Sequence, residues 1–175
     1  MVISNVCLLI MRIAKPIELN EIKTREWMRR LLNRANELGK EDEVPVIAMI
    51  LDNKGHCIGH GRNTRNTERD PLGHAELVAL RQAKWLKKDW RFNDCTIIVT
   101  LEPCQMCAGA LIQARMGKVI FGAPDTKRGG LGGSIDLSIH KSAHHKMIVH
   151  GGVMKYEAQE LIRKWFSQRR RKRYG

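Results

Sequence analysis

The sequence has no apolar run long enough to cross a membrane. Its longest strongly apolar stretch, residues 6–11, has six residues, whereas a spanning helix needs roughly 20. No basic segment precedes this stretch, and Arg12 and Lys15 follow it, so it lacks the form of a secretory signal. A hydrophobic fraction of 43% in 175 residues still suffices for one folded core. We therefore expect a cytoplasmic, single-domain protein with no membrane partner.

Acidic residues are scarce, since 18 Asp and Glu against 31 Lys and Arg give a net charge of +13. Residues 163–175 contain seven basic residues and no acidic one. Such a segment suits a polyphosphate such as a nucleic acid, because each neutralised phosphate releases counterions; the alternative is a solvated tail that only aids solubility. Aromatic residues make up 5% of the chain, so stacking on bases is limited to a few contacts.

Cysteine is sparse as well, and an odd count of five argues against a disulfide framework. Cys7, Cys57 and Cys95 lie in or beside apolar stretches, which is typical of unreactive thiols. Cys104 and Cys107 differ from these three because of their spacing and neighbours.

The apolar periodicity predicts alternating helices and strands. Helices are expected over 22–38, 74–85, 104–115 and 155–170, and strands over 44–51, 56–62, 96–100, 118–122 and 147–150. The elements between 96 and 122 predict a βαβ unit with a right-handed crossover. The expected fold class is α/β, with three layers and a mixed sheet of about five strands.

No repeat and no interdomain linker interrupts this pattern. Residues 123–146 are rich in Gly, Lys and His and are expected to form a long functional loop. We expect residues 1–20 to be a poorly ordered extension, with Met1 or Met11 as the true start. Residues 21–170 would form the domain, and 171–175 a basic tail.

Two segments carry the residue types of a catalytic zinc site. Cys104 and Cys107 are i and i+3 at a helix start, so both sulfurs can face one point, and His74 begins another helix. One imidazole and two thiolates leave the fourth position of a tetrahedral Zn²⁺ open, as catalytic zinc requires. Glu76 could then transfer the proton of an activated water. The combination is typical of zinc-dependent nucleobase deamination.

Other interpretations of these residues remain open. A lone Cys-x-x-Cys is also typical of a redox pair or of half a structural zinc site, although the chain has no second such pair. His140, His144 and His145 are spaced like a second metal cluster.

Longer segments carry a family resemblance. TLEPCQMCAGALI at 100–112 and DPLGHAELVALRQA at 70–83 resemble the zinc-dependent nucleoside and tRNA deaminases of the cytidine/deoxycytidylate deaminase superfamily. Further matches over roughly residues 24–171 are similar to the bacterial tRNA-specific adenosine deaminases: EVPV at 43–46, VIFGAPD at 119–125, the paired glycines of 129–134 and FxxRR at 166–170. The resemblance implies a cytidine-deaminase-like α/β/α domain that converts the wobble adenosine of a tRNA anticodon to inosine.

The resemblance also implies roles for individual residues. His74, Cys104 and Cys107 would bind one Zn²⁺ per subunit, Glu76 would shuttle protons, and Asn63 would hydrogen-bond the flipped adenosine. The remaining matches would contact the tRNA anticodon arm from both subunits of a homodimer: Asp125, His145, Trp165, Phe166, Arg169 and Arg170. The alternatives are a loop cap for Asn63, a turn for Asp125, and partial core burial for the two aromatic residues.

Two positions depart from the family pattern. Ile47 stands where glycine usually follows EVPV, which predicts different packing beneath the site. His144 replaces an asparagine that usually precedes the matched His145, which leaves the RNA contact there open. The rival functions are a deaminase of free guanine, cytidine or cytosine and a non-catalytic RNA-binding protein. The basic residues count against the first, and Glu76 beside intact ligands counts against the second.

Overall fold

The computed structural model describes residues 21–39 and 43–174, without the side chains of 172–174. The expectations for residues 1–20 and for Cys7 lie outside these ranges. The described residues form four helices and five strands. In chain order they are α1 (Glu21–Leu38), β1 (Ile47–Leu51), β2 (Cys57–Arg62), α2 (Ala75–Lys87), β3 (Thr96–Leu101), α3 (Gln105–Gln113), β4 (Lys118–Ala123), β5 (Ile148–His150) and α4 (Lys155–Tyr174).

The strands form one mixed sheet in the order β2-β1-β3-β4-β5. β1 pairs antiparallel with both β2 and β3, whereas β4 runs parallel to β3 and β5. All five residues of β1 are buried, as expected for an apolar strand covered on both faces. The predicted mixed sheet and the parallel β3–α3–β4 unit are therefore confirmed.

Helices cover both faces of the sheet. α2 and α3 share one apolar core with the sheet, and α1 and α4 share the other. Ile47 is 3% exposed and belongs to the α1–α4 core. The packing change expected at this position therefore lies on the face opposite α2 and α3. The three-layer architecture is confirmed.

Two glycines let α2 lie directly on β2. A Cβ on Gly59 would lie 2.5 Å from the carbonyl oxygen of Ala79, and one on Gly61 would overlap that of Ala75. Larger residues would push the helix away from the strand. This close contact fixes where the first turn of α2, with Glu76, lies at the edge of the sheet.

The element ends differ from the predictions in two informative places. β1 begins at Ile47 rather than at 44, because Pro45 has no N–H to donate to a ladder. α4 continues to Tyr174, so residues 171–174 of the expected tail are helical. Within the described ranges, no helix is long and apolar enough to span a bilayer.

Candidate active site

The N-terminal ends of α2 and α3 meet at one end of the strands. His74 is the N-cap of α2, and Cys104, which follows β3 by three residues, is the N-cap of α3. Both residues have extended backbone conformations, with ψ of 144° and 170°, and neither side chain caps its own helix. Both side chains are therefore free to turn toward a common centre, where Cys107 projects from the first turn of α3.

The three side chains have the spacing of a zinc site. Nδ1 of His74 lies 3.6 Å from Sγ of Cys104 and 3.5 Å from Sγ of Cys107. A tetrahedral Zn²⁺, with Zn–S of ~2.3 Å and Zn–N of ~2.1 Å, would place its nitrogen and sulfur ligands ~3.6 Å apart. The donor set and its distances thus fit zinc. In the part of the chain that the structure describes, this is the only cluster with metal-binding geometry.

Hydrogen bonds between the three side chains stabilise a thiolate at Cys104. The Cys107 thiol and His74 donate to Sγ of Cys104, which lowers the pKa of Cys104 to about 4. Its hydrogen bond to Cys104, followed by burial, raises the pKa of Cys107. The hydrogen bond to Cys104 also raises the pKa of His74. A thiolate held between a thiol and an imidazole attracts a divalent cation and is itself reactive.

We expect Cys104 of the metal-free protein to react readily with iodoacetamide. Because its pKa of about 4 keeps it ionised, its rate should change little between about pH 6 and about pH 8, whereas an ordinary thiol gains about tenfold per pH unit. Cys95 should stay unmodified, since burial raises its pKa to about 12. Peptide mapping in a Cys7→Ser background measures both rates. A Cys104 rate that climbs tenfold per pH unit would contradict this account.

Glu76 supplies a buried carboxyl group beside the ligands. It lies in the first turn of α2, two residues after His74, and is 3% exposed. Burial raises the pKa of Glu76 to about 7. A carboxyl group with this pKa can both give and take a proton at neutral pH, which is the requirement for a general acid–base catalyst.

Asn63 directly follows β2, and its side chain bonds to the start of α2. Its side chain is buried, and Oδ1 accepts the backbone N–H of Ala75 at 3.0 Å. Asn63 therefore caps α2 in place of His74, which is close to the alternative considered for it. With Oδ1 occupied, the amide nitrogen remains as the group that can donate to a ligand.

Asp125 and His145 both make contacts within the protein. Oδ1 of Asp125 accepts the backbone N–H groups of Lys127 and Arg128 at 2.9 and 3.0 Å, so Asp125 closes a turn. Nε2 of His145 lies 2.8 Å from the carbonyl oxygen of Met116. His144 is exposed. These contacts place the two residues in separate parts of the loop between β4 and β5.

The matched residues of α4 divide between core and surface. Trp165 is 7% exposed and packs edge-to-face on Phe166, which is 44% exposed, with ring centroids 4.9 Å apart. The guanidinium of Arg169 lies 5.0 Å over the Trp165 ring. Arg170 is exposed. Trp165 thus has the core position that was the alternative, and the other three face outward or cover it.

The possible second metal cluster does not form in the described residues. Nδ1 of His140 lies 2.7 Å from the Ser142 hydroxyl, and His145 bonds to a backbone carbonyl instead. Of the described cysteines outside the site, Cys57 and Cys95 are buried and form no disulfide bond.

Two buried glutamates that hold loops have no role in the sequence-based account. Glu43 and Glu102 are each 2% exposed. Glu43 accepts the backbone N–H groups of Asn66 and Thr67 at 2.5 and 2.8 Å, and Glu102 accepts three such groups from the loop after β4. In the sequence, the only indication of a special role was that each is an acidic residue inside an otherwise apolar motif segment.

Comparisons with known proteins agree with this geometry. The family model for the cytidine and deoxycytidylate deaminase zinc-binding region matches residues 21–123. The tRNA-specific adenosine deaminase of Haemophilus influenzae is 34% identical over 148 residues, covering 85% of this chain and 84% of that one. The tRNA(Ile)-lysidine synthase of Deinococcus radiodurans is 42% identical over 148 residues, covering 83% of this chain. The chain spans only 25% of the length of that relative.

Solved structures show the same fold. One from work on A-to-I editing by tRNA:A34 deaminases has a TM-score of 0.71 at 30% identity, covering 78% of this chain and 98% of that one. A guanine deaminase from Nitrosomonas europaea has a TM-score of 0.72 at 18% identity and covers 94% of each chain, which indicates shared architecture alone. Because the family match spans residues 21–123, which include His74, Glu76, Cys104 and Cys107, the chain belongs to the cytidine and deoxycytidylate deaminase family.

Proposed function

We propose that the chain is a zinc-dependent hydrolase that deaminates adenosine to inosine at the wobble position of a tRNA anticodon. The observation that carries this proposal is the convergence of His74, Cys104 and Cys107 beside the buried Glu76. The substrate class is supported by relatives named tRNA-specific adenosine deaminase and by the likeness to the tRNA:A34 deaminase structure. We propose one Zn²⁺ per subunit, a homodimer and a cytoplasmic location.

The site residues divide the chemistry between them. Zn²⁺, when bound by the three ligands, would supply Lewis-acid activation of a water molecule for attack on the adenine carbon that bears the amino group. Glu76 would take a proton from that water, protonate the ring nitrogen, and assist proton transfer to the departing amino group. Water and adenosine are thereby converted to inosine and ammonia. The raised pKa of Glu76, about 7, suits both directions of transfer.

Asn63 is proposed to orient the base. Its Oδ1 is held by the Ala75 N–H at 3.0 Å, so the amide plane is fixed before substrate arrives. The amide nitrogen would then donate to an acceptor on the flipped base, because a preset donor binds with little loss of side-chain entropy.

Basic residues on two helices are proposed to hold the RNA, together with Asp125 and His145. α1 and α4 cover the same face of the sheet, so their exposed charges lie on one side of the molecule. Phe166 and Arg169 would complete this surface on α4, and the buried Trp165 would support both from beneath. The exposed arginines of the two helices are Arg25, Arg29, Arg30, Arg34, Arg163, Arg170 and Arg171.

Neutralising Arg170 and Arg171 tests the contribution of α4. We expect the double change to glutamine to weaken RNA binding and to make the plot of log Kd against log salt shallower by about 1.4, or about 0.7 for each lost phosphate contact. The control is Lys54→Gln with Lys84→Gln, which removes two exposed charges from the hairpin turn and the distal half of α2. Fluorescence anisotropy at several salt concentrations gives both slopes. Equal slopes for the two double variants would show that this part of α4 does not contact the RNA.

A substrate comparison tests the function itself. The zinc-loaded protein is incubated separately with an anticodon stem-loop bearing adenosine at the wobble position, with free adenosine, with cytidine and with guanine. We expect inosine from the stem-loop at a kcat/KM far above that of any free substrate. Turnover of cytidine or guanine without inosine in the RNA would refute the tRNA assignment and support a small-molecule deaminase.

A further inference from the structure

The Glu102 carboxylate holds the loop that follows β4. Oε2 accepts the backbone N–H of Asp125 at 2.8 Å, and Oε1 accepts those of Leu131 and Gly133 at 3.0 and 2.8 Å. Glu102 is 2% exposed. Within the ranges that the structure describes, no ion pair to a lysine or arginine is found for it. The three N–H donors replace the water that the buried carboxylate has lost.

Residues 125–134, the glycine loop, wrap closely around this carboxylate. A Cβ on Gly129 or on Gly133 would overlap the Glu102 side chain, so both positions require glycine. The loop is also bonded to the start of α3, because Gly130 N–H donates to the carbonyl oxygen of Pro103 at 2.8 Å and Gly129 bridges to Cys104. The glycine loop is therefore joined by hydrogen bonds to the residues that precede and include Cys104.

The glycine loop presents polar side chains beside the metal ligands. Asp125 closes its first turn by accepting the N–H groups of Lys127 and Arg128, and both basic side chains are exposed. The Asp125 N–H is in turn held by Glu102. Releasing that single hydrogen bond would loosen the turn that orients all three side chains.

We propose that Glu102 is a positioning residue, whose carboxylate fixes the glycine loop so that Asp125, Lys127 and Arg128 meet the RNA in one preset arrangement. This inference rests on the proposed function. Both carboxylate oxygens of Glu102 are occupied by N–H groups of the loop, so it acts by lowering the entropy lost when the loop is ordered on the RNA. Its removal should therefore affect binding more than chemistry.

The test variant is Glu102→Gln, which keeps the shape of the side chain. Because Oε1 serves two N–H groups and Oε2 only one, the amide oxygen is expected to stay with Leu131 and Gly133. The amide nitrogen would then face the Asp125 N–H, donor against donor. In the metal-loaded protein, we expect the Asp125 amide to exchange with solvent at least about tenfold faster, by NMR hydrogen exchange. Zinc content should remain that of the wild type.

The same variant should bind the anticodon stem-loop about tenfold more weakly, with a matching rise in KM and a nearly unchanged single-turnover rate at saturating enzyme. Glu43→Gln is the matched control. It makes the same change at an equally buried glutamate, which accepts hydrogen bonds from Asn66 and Thr67 in the loop between β2 and α2. It should leave the Asp125 exchange rate unchanged.

Distinct results separate the inference from the proposed function. If Glu102→Gln binds the RNA as tightly as the wild type, or if it lowers the single-turnover rate while KM is unchanged, the positioning role is wrong. An unchanged Asp125 exchange rate would overturn it as well. A wild-type protein that binds the stem-loop without deaminating it would contradict the proposed function, yet the comparison of affinities would still decide the role of Glu102.

Discussion

Glu76→Gln is expected to lower kcat by about 10²- to 10⁴-fold, the range typical of a lost general acid–base group. Glutamine fills the same space but cannot carry a proton between water, ring nitrogen and leaving group. Because Glu76 is not one of the three clustered ligands, the variant should retain its zinc. Single-turnover deamination of the stem-loop and metal analysis of the same sample measure both properties. Retained activity would refute the proton-transfer role.

One control variant and one stability measurement support this test. Glu68→Gln makes the same substitution at an exposed position and should leave kcat unchanged. A second measurement is the pH dependence of the free energy of unfolding of the metal-free protein. The folded-state pKa of Glu76 is raised from 4.5 to about 7, so its neutral form favours the folded protein, and this contribution is lost as pH rises through that window. Glu76→Gln should therefore gain stability relative to the wild type across the same window.

Cys107→Ser is expected to abolish stable zinc binding and, with it, deamination. The Cys107 side chain is fully buried, and a serine hydroxyl there is a poor substitute for a thiolate ligand. Disturbing an outer-shell partner already costs about 10- to 100-fold in metal affinity, so we expect the loss of a ligand to cost more than about 100-fold. Metal content after dialysis against a chelator provides the measurement.

Cys95→Ser provides the matched control, because Cys95 is an equally buried thiol outside the site. It should keep both zinc and activity. Added zinc should raise the Tm of the wild type and of Cys95→Ser but not that of Cys107→Ser, since a ligand stabilises only a folded state that binds it. A zinc-dependent Tm in Cys107→Ser would show that the ligand assignment is wrong.

The clustering of His74, Cys104 and Cys107 could be predicted from the sequence because much of its geometry is local. Cys104 and Cys107 share a helix start, and spacing alone brings their sulfurs together. Joining them to His74 required only that both helices begin at the same edge of a sheet, and the strand pattern predicted such a sheet. The general position of Glu76 followed from His74 for the same reason.

The roles that depend on long-range packing could not be predicted. Nothing near Asn63 in the sequence indicates that its Oδ1 caps a helix twelve residues later. The hydrogen bonds of Glu102 are made with a loop more than twenty residues away, so in the sequence this residue was visible only as part of a motif. The histidines of 140–145 show the limit of spacing alone, because in the described residues their side chains bond to Ser142 and to the Met116 carbonyl oxygen and form no metal cluster.

The most direct test of the account is to follow oxygen into the product. An anticodon stem-loop with adenosine at the wobble position is incubated with the zinc-loaded protein in ¹⁸O-labelled water, and its nucleosides are examined by mass spectrometry. The account predicts inosine at that position alone, with one oxygen from the solvent and one ammonia released per inosine, and product from Glu76→Gln at a rate about 10²- to 10⁴-fold lower. An unmodified wobble adenosine, or inosine without the solvent label, would contradict it.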